Sequence, residues 1–150
     1  MHPVLSLLAF LLLTVGGGLF IGLWAMPGDW YAGLAKPSFN PPNWIFGPVW
    51  TTLYVLIAIA GWRLSQRRNR QPAMTFWWGQ LALNFAWSPS FFVAHNVGLA
   101  LGVALAMLAC ILGVIATAWR NDRLTALLFL PYAAWVGFAS VLNGAILALN

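Results

Sequence analysis

Aromatic rings and neutral hydrogen-bonding groups recur at helical spacing in this sequence, and they are its candidate ligand-binding residues. Trp50 and Tyr54 are four residues apart, so they would share one face of a helix. Two other helical faces read Asn84, Trp87, Ser88 and Phe91, and Trp135, Phe138, Ala139, Leu142 and Asn143. A pocket with aromatic walls and a few polar anchors suits a planar conjugated ligand. Together the three faces predict such a pocket.

Two amides, Asn84 and Asn143, are expected to point inward. An amide that faced lipid would leave its donors and acceptors unpaired, which is costly. Each could serve as a hydrogen bond between helices or as an anchor for a ligand. The sequence leaves both interpretations open.

Most familiar catalytic groups are absent from the apolar stretches. Asp29 and Asp122 fall in predicted loops, and His95 falls where an apolar stretch ends. Paired carboxylates, metal-ligand spacings, a serine triad and a phosphate-binding glycine loop are missing, so we expect no metal and no cofactor. With no ionisable group inside a span, a proton-coupled transporter is disfavoured. The lone Cys110 excludes a disulfide or cysteine metal site within one chain.

The composition indicates that the helices carrying these faces lie in a membrane. Of 150 residues, 62% are hydrophobic and only 6% are charged, against roughly 25% charged in a soluble domain. Five apolar stretches are long enough to cross a bilayer as helices, at 4–26, 44–62, 74–94, 97–119 and 124–148. The first lacks a basic leader and is too long for a signal peptide, so we interpret it as a retained helix. The expected fold is an all-α bundle of five transmembrane helices in a single domain.

The basic residues indicate topology rather than nucleic-acid binding. Six arginines would share one side with the amino terminus, and only Lys36 would lie on the other. The positive-inside rule then places the amino terminus in the cytoplasm, if the membrane is a bacterial inner membrane.

Two further features leave alternatives open. Segment 27–43, between the first two spans, contains four prolines and could form either an interfacial aromatic belt or a lid over the bundle. Small residues recur every four positions at Gly98, Gly102, Ala106 and Cys110, and at Gly18 and Gly22. Such stripes either pack inside the bundle or form a homodimer seam.

Three segments carry the aromatic faces in their sequence context. They read KPSFNPPNWIFGPVWTTLY at 36–54, LNFAWSPSFF at 83–92 and LPYAAWVGFASVLN at 130–143. These segments resemble the TspO/MBR family of tryptophan-rich sensory proteins, which includes the translocator protein, also called the peripheral benzodiazepine receptor. The resemblance covers most of the chain, and the proline–tryptophan segment is its most specific part.

The resemblance implies a five-helix bundle, commonly a homodimer, that binds porphyrins such as protoporphyrin IX and, in some members, cholesterol and synthetic drugs. It implies a ligand cavity walled by Trp50, Tyr54, Asn84, Trp87, Ser88, Trp135 and Ala139, with Tyr31, Pro41 and Pro42 at its mouth. Cholesterol-binding members carry a tyrosine and an arginine after the segment VLN, whereas GAILALN follows here. The sequence therefore argues against high-affinity cholesterol binding.

Three functions remain in competition. The first is binding of a porphyrin-like tetrapyrrole for transport, sensing or metabolism, with the bilayer and a second copy of the chain as partners. The second is an enzyme that degrades porphyrin in light and oxygen with Trp50 and Trp135. The third is a small polar-drug transporter or a purely structural membrane subunit. A bacterial cell envelope is the expected location, with inner and outer membrane both open.

Overall fold

The computed structural model describes residues 1–150, which form helices and short connections without strands. Helix α1 runs over Pro3–Trp24 with a π-turn at Leu12–Gly16, and the short α2 is Asp29–Ala32. Helix α3 is Asn43–Ser65, and α4 is Ala73–Ser88 continued by a π-turn at Pro89–Val93. The last two helices are α5, Val97–Ala118, and α6, Arg123–Leu149.

Four helices are long and apolar enough to cross a membrane: α1, α3, α5 and α6. They coincide, within a few residues at each end, with the stretches predicted at 4–26, 44–62, 97–119 and 124–148. The stretch predicted at 74–94 is helical and matches α4, but α4 is not one of these four. Its α-helical part is shorter and carries Gln80 and Asn84. Its crossing of the membrane stays a prediction.

The amino terminus and two connections lie at one end of the molecule. Near the start of α1, the Pro3 carbonyl accepts a hydrogen bond from the Trp62 indole at 3.0 Å. In the α3–α4 connection, Arg67 donates to the Asn121 carbonyl of the α5–α6 connection at 3.0 Å. The predicted grouping of the arginine-rich connections with the amino terminus is therefore confirmed. We call this the arginine end.

The opposite end is covered by segment 25–42, which we call the connector. The Asn150 side chain pairs with both backbone groups of Ala35, at 3.0 Å and 2.9 Å. The Trp30 ring stacks on His95 with centroids 4.3 Å apart. His95 itself lies between α4 and α5, as predicted for a boundary residue.

The packed core occupies the arginine half of the bundle, between α3, α4, α5 and α6. Its largest fully buried side chains include Trp77, Phe129 and Ile111. Gly61 on α3 lets the Trp77 ring come so close that a Cβ at Gly61 would lie 2.5 Å from it. In a lipid bilayer the hydrophobic effect does not drive helices together. Small residues at such crossings let the helices approach closely and gain dispersion contacts instead.

The two small-residue stripes differ in position. Gly18 on α1 is buried against the Tyr54 ring of α3, so this stripe packs inside the molecule at that point. On α5, by contrast, Gly98, Gly102 and Ala106 are exposed on the outer surface.

One buried carboxylate joins the connections at the arginine end. Asp122 forms ion pairs with Arg63 at 2.8 Å and with Arg67 at 3.2 Å, and it also caps α6 through Thr125. Burial alone would raise the pKa of Asp122, but hydrogen bonds from Arg63 and Thr125 and the charges of both arginines lower it below its usual value. The carboxylate therefore stabilises the folded state in its ionised form.

This lowered pKa predicts a loss of stability in acid. Because the pKa of Asp122 is lower in the folded state, its contribution is complete above the unfolded-state pKa and disappears as the pH falls through the folded-state value. We expect Asp122→Asn, which keeps a capping side chain, to lower the Tm at neutral pH and to weaken its decline in acid. Circular dichroism melts in detergent across pH would test this, with Asp29→Asn as control because Asp29 forms no ion pair. An unchanged acid profile in Asp122→Asn would contradict the assignment.

The Gly61–Trp77 contact gives a second stability prediction. Gly61→Ala should destabilise the protein by about 1–3 kcal/mol, because the added methyl overpacks the crossing of α3 and α4. A protein of this size loses roughly 2–4 °C of Tm for each kcal/mol. Gly137→Ala is the matched control, since nothing lies within 4 Å of a Cβ there. Equal melting temperatures for the two variants would refute the contact.

Candidate ligand-binding site

A cavity of about 550 Å³ lies in the half of the bundle beneath the connector. Pockets for small ligands are typically about 300–1,000 Å³ and mostly apolar. Sixteen of the 21 residues that line this cavity are hydrophobic. Its volume and lining are therefore those of a site for an apolar small molecule.

Tryptophans from three helices form much of the wall: Trp50 on α3, Trp87 on α4 and Trp135 on α6. Each ring is held by an aromatic neighbour. Trp135 packs edge-on to Phe46 with centroids 5.8 Å apart, and Trp87 lies 5.1 Å from Phe91. Such contacts fix the ring planes that a flat ligand would meet.

One indole donor among the tryptophans of the cavity wall is buried without a partner. The Trp135 Nε1–H is buried and meets no acceptor in the protein. The Trp87 indole differs, because it donates to Asn143 Oδ1 at 3.1 Å, and the Asn143 amide donates to the Val97 carbonyl at 3.0 Å. Asn143 thus joins α4, α5 and α6, while the Trp135 N–H has no partner in the protein.

A second cavity, of about 320 Å³, lies between α1 and α3. It shares seven lining residues with the larger cavity: Gly22, Leu23, Phe46, Trp50, Trp87, Ser88 and Met107. Tyr54 and Asn84 line this smaller cavity only. The two spaces are therefore adjacent, with Trp50, Trp87 and Ser88 on the wall between them.

A chain of hydrogen bonds crosses the bundle at the inner end of the smaller cavity. The Tyr54 hydroxyl donates to Asn84 Oδ1 at 2.7 Å, and the Asn84 amide donates to the Tyr132 hydroxyl at 2.7 Å. Tyr132 in turn donates to Gln80 Oε1 at 2.6 Å. Asn84 is buried, as is Asn143, which confirms that both amides face inward. Asn84 therefore links helices through hydrogen bonds, which is one of its two predicted roles. Its second amide hydrogen has no partner in the protein, and Asn84 lines the smaller cavity.

The sequence interpretation missed two members of this chain, Tyr132 and Gln80. The sequence does indicate both residues by their spacing, because Tyr132 is three residues before Trp135 and Gln80 is four residues before Asn84. Each therefore lies one turn along a face already identified. Their depth in the bundle, and hence their pairing, depends on how the helices are placed against one another.

The connector lines the larger cavity with other residues than expected, namely Ala25, Met26 and Pro27 beside Tyr31. Tyr31 lines the larger cavity and packs edge-on to Phe91 and Phe92 at 5.9 Å and 5.4 Å. Pro41 and Pro42 line neither cavity, although the next residue, Asn43, does. Phe39 and Trp44 are exposed on the outside. Trp30 and Tyr31 of the connector thus pack against the bundle, whereas Phe39, and Trp44 at the start of α3, are exposed; a place in an interfacial aromatic belt stays a prediction.

The predicted site residues divide between the two cavities. The larger cavity is lined by Trp50, Trp87, Ser88, Trp135, Ala139 and Tyr31. The smaller cavity is lined by Tyr54 and Asn84 together with Trp50, Trp87 and Ser88. Trp50 and Trp135, the residues of the enzymatic alternative, both line the larger cavity.

Comparison with known proteins places this architecture in a family. The family model described as TspO/MBR matches residues 9–149. A tryptophan-rich protein TspO from Archaeoglobus fulgidus is 39% identical over 150 residues, covering 98% of this chain and 95% of the relative. A tryptophan-rich sensory protein from Cereibacter sphaeroides is 39% identical, covering 83% of this chain and 78% of the relative. The human translocator protein is 38% identical, covering 84% of this chain and 79% of the relative.

The match spans every helix that lines the two cavities, and the apolar helices agree with it. The chain is an integral membrane protein and belongs to the TspO/MBR family.

Proposed function

We propose that this protein binds porphyrins, such as protoporphyrin IX, or similar flat apolar ligands in the larger cavity. It would act in tetrapyrrole transport, sensing or metabolism. The observation that carries the proposal is the convergence of Trp50, Trp87 and Trp135 from three helices on one space of about 550 Å³. Flat conjugated rings gain most from such walls, because they replace lipid contact on both faces with aromatic contact.

The ligand's polar groups have defined places in this proposal. The buried Trp135 Nε1–H, which has no partner in the protein, would turn toward the cavity and donate to a ligand oxygen. No charged side chain lines the larger cavity, so ionised carboxylates would stay near its mouth. The basic residue at this end is Lys36, whose ammonium lies 4.5 Å from the Tyr31 ring.

We further propose that α4 is a fifth transmembrane span and that the protein forms a homodimer in a bacterial cell envelope. The α4 helix starts beside the arginine end and finishes beneath the connector, antiparallel to α3 and α5. The exposed Gly98, Gly102 and Ala106 of α5 offer a surface on which two copies could pack closely.

Porphyrin binding is tested by titrating the purified protein with protoporphyrin IX and following tryptophan quenching and porphyrin absorbance. We expect saturable binding, weakened roughly tenfold by Trp50→Ala through loss of ring contact. Trp135→Phe should weaken it by about 2–10-fold, the worth of one hydrogen bond. Trp44→Phe is the matched control, because Trp44 is exposed and lines neither cavity. Folded Trp50 and Trp135 variants with unchanged affinity would rule out this cavity.

A second candidate, porphyrin degradation in light and oxygen, is favoured by the position of Trp50 and Trp135 on the same cavity. Both indoles would lie against a bound, photoexcited ring. Illuminated samples should then form protein-dependent absorbing products that dark or oxygen-free samples lack, and a Trp50→Phe, Trp135→Phe double variant should lose them. Porphyrin loss at the same rate without protein would exclude catalysis.

A further inference from the structure

The smaller cavity lies where α1 and α3 separate from one another. Its outer walls are Gly18, Leu19, Gly22 and Leu23 on α1, and Phe46, Gly47, Trp50 and Thr51 on α3. It therefore lies in the half of the bundle that contains the larger cavity, beneath the connector.

Helices α1 and α3 separate on the connector side of one close contact between them. The Thr14 hydroxyl of α1 donates to the Tyr54 carbonyl of α3 at 2.8 Å, and Gly18 lies directly against the Tyr54 ring. From this level onward α1 packs on α4, and at Gly17 an added Cβ would lie 2.6 Å from the Phe85 ring. Because α1 follows α4 instead of α3, a gap opens between the outer halves of α1 and α3.

The gap opens outward, toward the region that lipid would occupy. Leu19 and Leu23 are 55% and 72% exposed, and Gly47 and Thr51 are exposed as well. The Thr51 hydroxyl donates to the Gly47 carbonyl at 2.8 Å, so its polar group is satisfied within the helix. The outer walls of the gap are therefore apolar, as a surface in contact with lipid chains must be.

The gap also leads inward. The seven lining residues that it shares with the larger cavity include Gly22, Phe46 and Trp50. Nothing lies within 4 Å of a Cβ built at Gly22 or at Gly47. These two glycines, one on each wall, leave the gap wide where larger side chains would narrow it.

We propose that this gap is the entrance through which the ligand reaches the larger cavity from the acyl-chain region of the bilayer, and that Gly22 and Gly47 set its width. The proposal rests on the proposed porphyrin binding and adds the ligand's source: a flat apolar molecule dissolved in the membrane. On the other route, beneath the connector, the Trp30–His95 stack and the Asn150–Ala35 pair hold the connector against the bundle. Lateral entry requires neither contact to break.

The test measures rates as well as affinity. The protein is reconstituted in phosphatidylcholine vesicles, and tryptophan quenching is followed after mixing with vesicles that carry protoporphyrin IX. Gly47→Leu fills the gap from the α3 side and leaves the larger cavity unaltered, because Gly47 lines the smaller cavity alone. We expect association and dissociation each to slow about tenfold, an added barrier of about 1.4 kcal/mol. The Kd should stay within twofold of the unaltered protein.

Two further variants secure the interpretation. Gly137→Leu is the matched control, because nothing surrounds a Cβ there and Gly137 lines neither cavity, so both rates should be unchanged. Leu19→Ala widens the same gap and should speed both rates, which guards against a Gly47→Leu protein that fails to fold. Circular dichroism establishes folding in each case.

The outcomes separate this inference from the function on which it rests. No saturable binding by the unaltered protein would overturn porphyrin binding itself. Normal binding with unchanged rates in both Gly47→Leu and Leu19→Ala would overturn lateral entry alone. Faster entry in Asn150→Ala, with no effect of either gap variant, would assign entry to the connector route and also overturn the proposal.

Discussion

The structure depends on the need to pair polar groups where water is absent. A donor or acceptor left in hydrocarbon costs several kcal/mol, so polar side chains within the spans must find one another. In this protein the chain Tyr54–Asn84–Tyr132–Gln80 meets most of that need and connects α3, α4 and α6, with the Gln80 amide nitrogen left unpaired. No member of the chain carries a charge, so the layer needs no counter-ion.

This polar layer lies between two unlike halves of the bundle. On the arginine side the helices approach closely, as at Gly61 and Trp77, and the interior is filled. On the connector side the same helices are lined by Trp50, Trp87 and Trp135, whose rings leave two adjoining cavities. The packed half holds the helices in place, and the other half keeps its open space.

The two ends of the bundle are fastened in different ways. Asp122 joins both connections at the arginine end through two ion pairs and a helix cap. The connector end relies on the Trp30–His95 stack and on the amide of Asn150. The charged residues of the connector end, Asp29 and Lys36, lie in the connector itself and line neither cavity, so the cavity walls stay mostly apolar.

The sequence by itself determined the helices, four apolar spans, the grouping of the arginine-rich connections and the inward direction of Asn84 and Asn143. These follow from composition, periodicity and the cost of unpaired amides, which are properties of single segments. Only the tertiary structure decided that Tyr132 and Gln80 complete the polar chain, that Pro41 and Pro42 lie outside both cavities, and that α1 separates from α3 above Gly18. Those features depend on the tilt, rotation and depth of one helix against another. Helical periodicity specifies which residues share a face, but it does not specify which residues of other helices that face contacts.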